Sequence, residues 1–358
     1  MTPQTPPETE TPSTGNDRRR RLLRRAALGT GIAVVAAGVL GGVLYAKLDS
    51  NIRTDEDTER ALRADHGSRP DKPAGKAQNI LLMGTDSQAG WGSTRADTTI
   101  LLHLSADRRH ASMTSIPRDL MVDIPTCLTP EGARTKAEFA QFNWAYERAG
   151  AACTIRTFEK LSGVRVDHHL VVDFSGFMKV VDAVGGVEVD VPEPIKEPEY
   201  GITLKPGRQL VKGKEALVFV RTRQGVSDGS DLQRIERQKD FLRNLVDKVT
   251  DTGTLTSPTR VYPLLDAATS SLTADSGMDS PAELYSLLKS ARTTLPSALK
   301  IITLPSTEHP DYIGRYEMVP KEGDALFKAL RADKPLPAHL YNAYDEEGHR
   351  ERPYFEKS

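Results

Sequence analysis

Residues 84 to 99 read GTDSQAGWGSTRADTT, a Gly/Ser/Thr-rich stretch carrying Asp86, Arg95 and Asp97. Two carboxylates held close together repel unless a cation lies between them. Mg²⁺ suits such a pair, because it takes one or two carboxylates and completes its shell with water and phosphate oxygens. Arginine recurs beside acidic residues further on. SIPRDL supplies Arg118 and Asp119, FVRTRQG supplies Arg221 and Arg223, and SDLQRIERQ supplies Asp231, Arg234, Arg237 and Gln238. The planar guanidinium grips phosphate oxygens two at a time and keeps its charge. Arg234, Arg237 and Gln238 share one face of a helix, and Asp231 lies near that helix's N-terminus, where a carboxylate is favoured. The combination points to a cation-assisted site for a phosphate polyanion. The competing reading of any one pair is a solvated, salt-bridged surface.

Other chemistries are absent from the sequence. It has no GxSxG nucleophile elbow, no HExxH and no CxxC. GRQLVKGKE resembles a phosphate-binding Walker loop, but it has five residues between the glycines and a Glu after Lys214. His168 and His169 are neighbours in a strand pattern, so they face opposite sides and are poorly placed to share a metal. Lys and Arg (48) balance Asp and Glu (49), which argues against a nucleic-acid binder.

The elements that must hold these residues are legible as apolar runs. Strands are expected at 79–83, 98–105, 111–117, 168–174, 187–191, 216–221 and 299–304, several of them apolar on both faces. Helical periodicity falls at 136–149, 153–162, 174–184, 231–249, 280–293 and 322–331. This alternation predicts an α/β/α sandwich with a central mixed sheet. The arginine clusters then fall at strand ends, where open α/β sheets bind ligands. If the 216–221 strand persists, Arg221 and Arg223 share a face.

The rest of the chain divides as follows. Residues 1–25 form a basic tail expected to be disordered, with six arginines between Arg18 and Arg25. The next 21 residues, Ala26 to Ala46, carry no charge and are long enough to span a bilayer, so 26–47 are expected to be a transmembrane anchor. The arginines hold the N-terminus in the cytoplasm and put the rest outside. Residues 48–77 read as a charged linker, 78–335 as the folded domain and 336–358 as a polar tail. The chain's two cysteines, Cys127 and Cys153, both lie in the exported part. A disulfide is expected, with two separate buried thiols as the other option.

Seven blocks in order, NILLMGTDS, TRADTTILLHLS, SIPRDL, FNWAYERAG, VVDFSGFMKVVDAVGGVEVDV, GKEALVFVRTR and DLQRIERQ, resemble the LytR-CpsA-Psr family over residues 79–249. AGAAC stands where that family usually has a Gly-Gly pair before a helix, which affects a turn rather than the site. The resemblance implies a membrane-anchored, extracytoplasmic phosphotransferase. It would move a cell-wall glycopolymer from a polyprenyl-pyrophosphate carrier to peptidoglycan, attacked through the C6 hydroxyl of N-acetylmuramic acid. It implies Asp86 and Asp97 as metal ligands for Mg²⁺, with Mn²⁺ as an alternative. Arg95, Arg118, Arg221, Arg223, Arg234 and Gln238 match residues around the pyrophosphate, with Arg237 beside them. Asp86, Asp97, Arg118 and Asp231 are the catalytic candidates. The alternative is a polyprenyl-pyrophosphate-binding regulator or a pyrophosphatase.

Overall fold

The computed structural model describes residues 38–72, 75–86, 95–222, 231–250 and 252–341. The chain divides into two units, residues 1–50 and 51–358. In the first, the described residues are helical, part of α1 (residues 38–51). Most of the expected anchor, 26–47, lies outside the described residues. Among those described, no helix is long and apolar enough to cross a membrane.

The second unit starts with β1 (Arg53–Thr54) and α2 (Glu56–Ala64). Next come β2 (Gln78–Thr85), β3 (Ala96–Leu104), β4 (Ala111–Ile116), β5 (Met121–Ile124), β6 (Glu138–Gln141) and α3 (Trp144–Ser162). Then follow β7 (His168–Asp173), α4 (Phe174–Ala183), β8 (Val187–Val191), β9 (Ile195–Glu197), β10 (Ile202–Leu204), β11 (Gly207–Val211) and α5 (Gly213–Arg221). The chain continues through α6 (Asp231–Thr250), α7 (Thr252–Thr256), α8 (Pro258–Thr269), β12 (Leu272–Ala274) and α9 (Pro281–Ala298). It ends with β13 (Leu299–Thr303), β14 (Ser306–Glu308), β15 (Tyr316–Met318) and α10 (Pro320–Arg331).

Seven strands form one mixed sheet in the order β1-β12-β7-β2-β3-β4-β13. β2, β3 and β4 are an antiparallel meander, whereas β7 runs parallel to β2 and β13 parallel to β4. The central strands are apolar on both faces because both faces are covered. Leu81, Met83 and Leu101 pack with Phe158 of α3 and Phe327 of α10, whose rings meet edge to face. Ile80, Ile100 and Leu102 alternate with them and are also buried, so they face the other layer. On the sheet's edge half, α9 packs against β4 and β13. A satellite core joins α4, α5 and α6 to the β8–β11 hairpin, with Phe241 between Phe177 and Phe219.

Three expectations fail. The run 216–221 is not a strand but the buried helix α5, whose Ala216, Leu217, Val218 and Phe219 are all in the core. A short apolar run surrounded by core looks the same in either conformation. Residues 138–141, expected to be helical, form β6 and pair with β5, and the helix starts only at Trp144. Finally, 48–77 is not a plain linker. β1 extends the sheet edge beside β12, and Asp55 caps α2 by accepting from Thr58 N. Beyond α2, Arg69 Nη2 reaches the fully buried Glu159 at 2.6 Å, and Arg134 reaches Asp65 at 2.8 Å. These long-range charge partners, which the local sequence does not reveal, fix the segment to the domain.

The AGAAC departure falls in a kink of α3. Ala149 and Gly150 leave helical geometry, and Gly150 takes φ 64°, which suits glycine. Just past the kink, Cys153 is bonded to Cys127 in a disulfide with Cα atoms 5.4 Å apart. It links the segment between β5 and β6 to α3.

Candidate active site

Sheet order and register assemble the site. Thr85 pairs with Ala96 and Gly84 pairs with Thr98, so Asp97 is the extra residue of a β-bulge in β3. Bulges of this kind re-aim a side chain at the end of a ladder. Asp86 is the first residue past β2. On the other side of β2, Thr85 is level with Asp173, and Phe174 opens α4 one residue later. On the far side of β3, Ile116 is level with Thr99, so continuing the antiparallel register brings Arg118 opposite Asp97. The side chains meet as that register requires: Arg118 Nη1 lies 2.9 Å from Asp97 Oδ1.

Four neighbouring strands, β7, β2, β3 and β4, therefore deliver Phe174, Asp86, Asp97 and Arg118 to one end of the sheet. Three strand spacings of about 4.8 Å make this a row of roughly 14 Å. Arg221, the last residue of α5, lies with its guanidinium carbon 4.9 Å from the Phe174 ring centre, and its Nη1 donates to Tyr200 Oη at 2.9 Å. Arg221 thus joins the row from a helix end, not from a strand.

The charges are partly committed. Arg118 Nε also donates to Asp119 Oδ2 at 3.2 Å, and Arg315 Nη1 lies 3.5 Å from the other oxygen of Asp119. With its amide nitrogen turned to Asp119, Gln141 donates to Asp119 Oδ1 at 2.9 Å and accepts from Arg315 Nε at 2.9 Å. Asp119, Gln141 and Arg315 thus aim the Arg118 fork from behind. Asp86 Oδ1 is buried with no hydrogen-bond partner among the described residues. A buried carboxylate oxygen left bare is costly, so this atom fits a cation ligand. Arg237 is also buried. One Nη2 bond goes to Thr222 O, whereas its Nε and Nη1 have no hydrogen-bond partner among the described residues, and burial pulls its pKa below the usual arginine range. Gln238 donates to Val220 O at 2.9 Å, tying α6 to the end of α5.

Not every expected member joins. Arg95 turns away and pairs with Glu147 Oε2 at 2.6 Å, its guanidinium 5.8 Å from the Trp144 ring centre. Arg223 lies outside the described residues. Asp231 and Arg234 lie in the first turns of α6, but their side chains are outside those described. Asp119, Gln141 and Arg315 as positioning groups, and Tyr200 and Phe174 as the partners of Arg221, are found only in the structure. Asp119 had a signal, its adjacency to Arg118. The others come from hairpins and helices distant in sequence and carried none.

The LytR_cpsA_psr family model matches residues 44–332. A probable cell wall biosynthesis protein, LcpB of Corynebacterium glutamicum, is 29% identical over 343 residues, covering 88% of this chain and 74% of that protein. The polyisoprenyl-teichoic acid–peptidoglycan teichoic acid transferase TagV of Bacillus subtilis is 30% identical over 243 residues, covering 66% of this chain but only 60% of the relative. The crystal structure of B. subtilis TagV shares the fold, with a TM-score of 0.60 at 24% identity over 73% of this chain and 98% of that one. The family match takes in every strand of the central sheet and every residue of the candidate site, and this chain belongs to the LytR_cpsA_psr family.

Proposed function

We propose that this chain is a transferase that moves a glycopolymer from a polyprenyl-pyrophosphate carrier onto peptidoglycan. The observation that carries this reading is the Asp97–Arg118 pair set at a bulge beside Asp86, at the mouth of a sheet. The TagV relative, named as a polyisoprenyl-teichoic acid–peptidoglycan teichoic acid transferase, supports the same chemistry.

In the reaction, a hydroxyl of the acceptor glycan, the C6 hydroxyl of N-acetylmuramic acid, attacks the sugar-proximal phosphorus. The new oxygen–phosphorus bond forms as the bridging oxygen–phosphorus bond breaks, and polyprenyl phosphate leaves. The hydroxyl proton passes to a carboxylate, for which Asp231 and Asp86 are the candidates. Arg118, held from behind by Asp119, offers a preset fork to the charge that grows on the phosphoryl oxygens. Arg221 and Arg237 supply further positive charge, with Arg223, Arg234 and Gln238 assigned to the same pyrophosphate. Asp86 and Asp97 would hold Mg²⁺, or Mn²⁺ in its place, which when bound neutralises phosphate oxygens. Asp86's bare buried oxygen supports that assignment. The 26–47 anchor and the basic tail support a single-pass protein with this domain outside the cell membrane.

Native mass spectrometry of the detergent-extracted full chain tests the substrate class. The expected result is a bound polyprenyl phosphate or pyrophosphate, displaced by excess synthetic polyprenyl pyrophosphate. A protein that neither carries such a lipid nor takes up the added one would refute the reading.

A further inference from the structure

A second group of ligating side chains lies at the other end of β3. His103 is near the end of that strand, His110 is the residue before β4, and Asp333 follows α10. Six residues separate Asp97 from His103 along the strand, about 20 Å at 3.3 Å per residue. One ligand atom from each of His103, His110 and Asp333 lies within 4.8 Å of the others.

Hydrogen bonding fixes the state of His103. Asn79 Nδ2 donates to Arg165 O at 3.0 Å, so Asn79 Oδ1 is an acceptor. It faces His103 Nδ1 at 2.8 Å, so that nitrogen carries the proton. His103 Nε2 then points its lone pair at Asp333 Oδ1, 3.1 Å away. Two acceptors do not approach this closely with nothing between them. Either a second proton or a metal ion must lie there. His110 supplies the next observation. Its Nε2 is buried with no hydrogen-bond partner among the described residues and lies 3.7 Å from the same Asp333 oxygen. A single proton between His103 and Asp333 leaves that atom unsatisfied, whereas a metal satisfies all three.

We propose that His103 Nε2, His110 Nε2 and Asp333 Oδ1 form a binding site for a zinc-class divalent ion. A tetrahedral ion with ligands at about 2.0 Å holds them about 3.3 Å apart, close to the 3.1 and 3.7 Å found here. Two imidazoles and one carboxylate select zinc-like ions over Mg²⁺, which prefers oxygen. Asn79 is the outer partner that orients a ligating histidine. Asp333 Oδ2 accepts from Ala106 N at 3.1 Å, which leaves Oδ1 for the ion. Asp333 also holds a left-handed backbone at φ 50°, an uncommon conformation outside glycine that brings its carboxylate to the β3–β4 turn. A cavity of about 50 Å³ lined by both histidines has room for one water as the fourth ligand. The ion ties the exit of α10 to the β3–β4 turn, so its role is structural.

The test uses the metal-stripped full chain in detergent, titrated with Zn²⁺ and then with Co²⁺ as a visible probe. The wild type should take up one equivalent with the visible absorption of tetrahedral Co²⁺, and its melting temperature should rise on binding. His110→Ala and Asp333→Asn should each lose that equivalent and that spectrum, while Asp97→Ala retains both. If the wild type binds no ion stoichiometrically, the cluster is a protonated His103–Asp333 ion pair and the proposal is wrong. It is equally wrong if both variants keep the wild-type spectrum.

Discussion

Arg118 is the residue on which the site turns, because its orientation is set before any phosphate arrives. Asp97 holds Nη1 and Asp119 holds Nε. Lysine keeps the charge but offers one ammonium in place of a fork. Arg118→Lys should therefore lower kcat by roughly 10²-fold, the size of losing one preset donor, with the thermal unfolding profile preserved. A variant with wild-type turnover would show that the fork is not used. Asp86 makes a complementary prediction. Its buried Oδ1 lacks a hydrogen-bond partner among the described residues, so a cation that binds there stabilises the folded state only. The melting temperature of the wild type should rise with Mg²⁺, and that rise should vanish in Asp86→Asn. An equal rise in both proteins would put the ion elsewhere. Asp86, Asp97 and Arg118 were readable from the sequence because strand ends and chain proximity alone bring them together. Arg95 was not, because its direction depends on Glu147 and Trp144, some fifty residues away in α3.

At the scale of elements, β2 and β3 were legible because a strand buried on both faces carries a continuous apolar run, ILLM in one and ILL in the other. The same rule misread α5, since a short helix in the core is equally apolar. The edge strand β1 and its neighbour β12, two and three residues long, are too short to show any period. Local chemistry sets the turn after α4, where Gly185 and Gly186 take φ 83° and 96°. The same helix carries a close approach that the sequence does not announce. A Cβ on Gly176 would lie 2.5 Å from Ser271 Cβ and 3.1 Å from Ser271 O, in the turn that leads into β12. Gly176→Ala should push α4 off that turn and cost about 1–3 kcal/mol in chemical denaturation. Because α4 also carries Phe174, the partner of Arg221, activity should fall with stability. An alanine variant as stable as the wild type would mean that this contact relaxes freely.

For the whole molecule, the domain is held across its sheet by charge pairs as well as by core. Asp275, just past β12, accepts from His168 Nδ1 at 2.9 Å and from His169 N at 2.7 Å on β7. The bond to Asp275 raises the His168 pKa against the opposing pull of burial, with Asp167 adding to the rise and Lys72 opposing it. A histidine raised in the folded state contributes stability that is fully present below its unfolded pKa of about 6.5 and is lost as pH rises through the higher folded value. The stability gap between wild type and His168→Gln should be largest near pH 5.5 and shrink as pH rises above about 6.5, as followed by urea unfolding. A gap that widens with pH would reverse the assignment. The central claim concerns the reaction, and reconstituted transfer tests it most directly. The full chain in detergent is given Mg²⁺, a polyprenyl-pyrophosphate-linked oligosaccharide and a peptidoglycan glycan, and the products are identified by mass spectrometry. The account predicts one acceptor-linked sugar phosphate for each polyprenyl phosphate released, with Asp97→Ala losing most of both. Release of polyprenyl phosphate with free sugar phosphate and no modified acceptor, or undiminished transfer by Asp97→Ala, would contradict it.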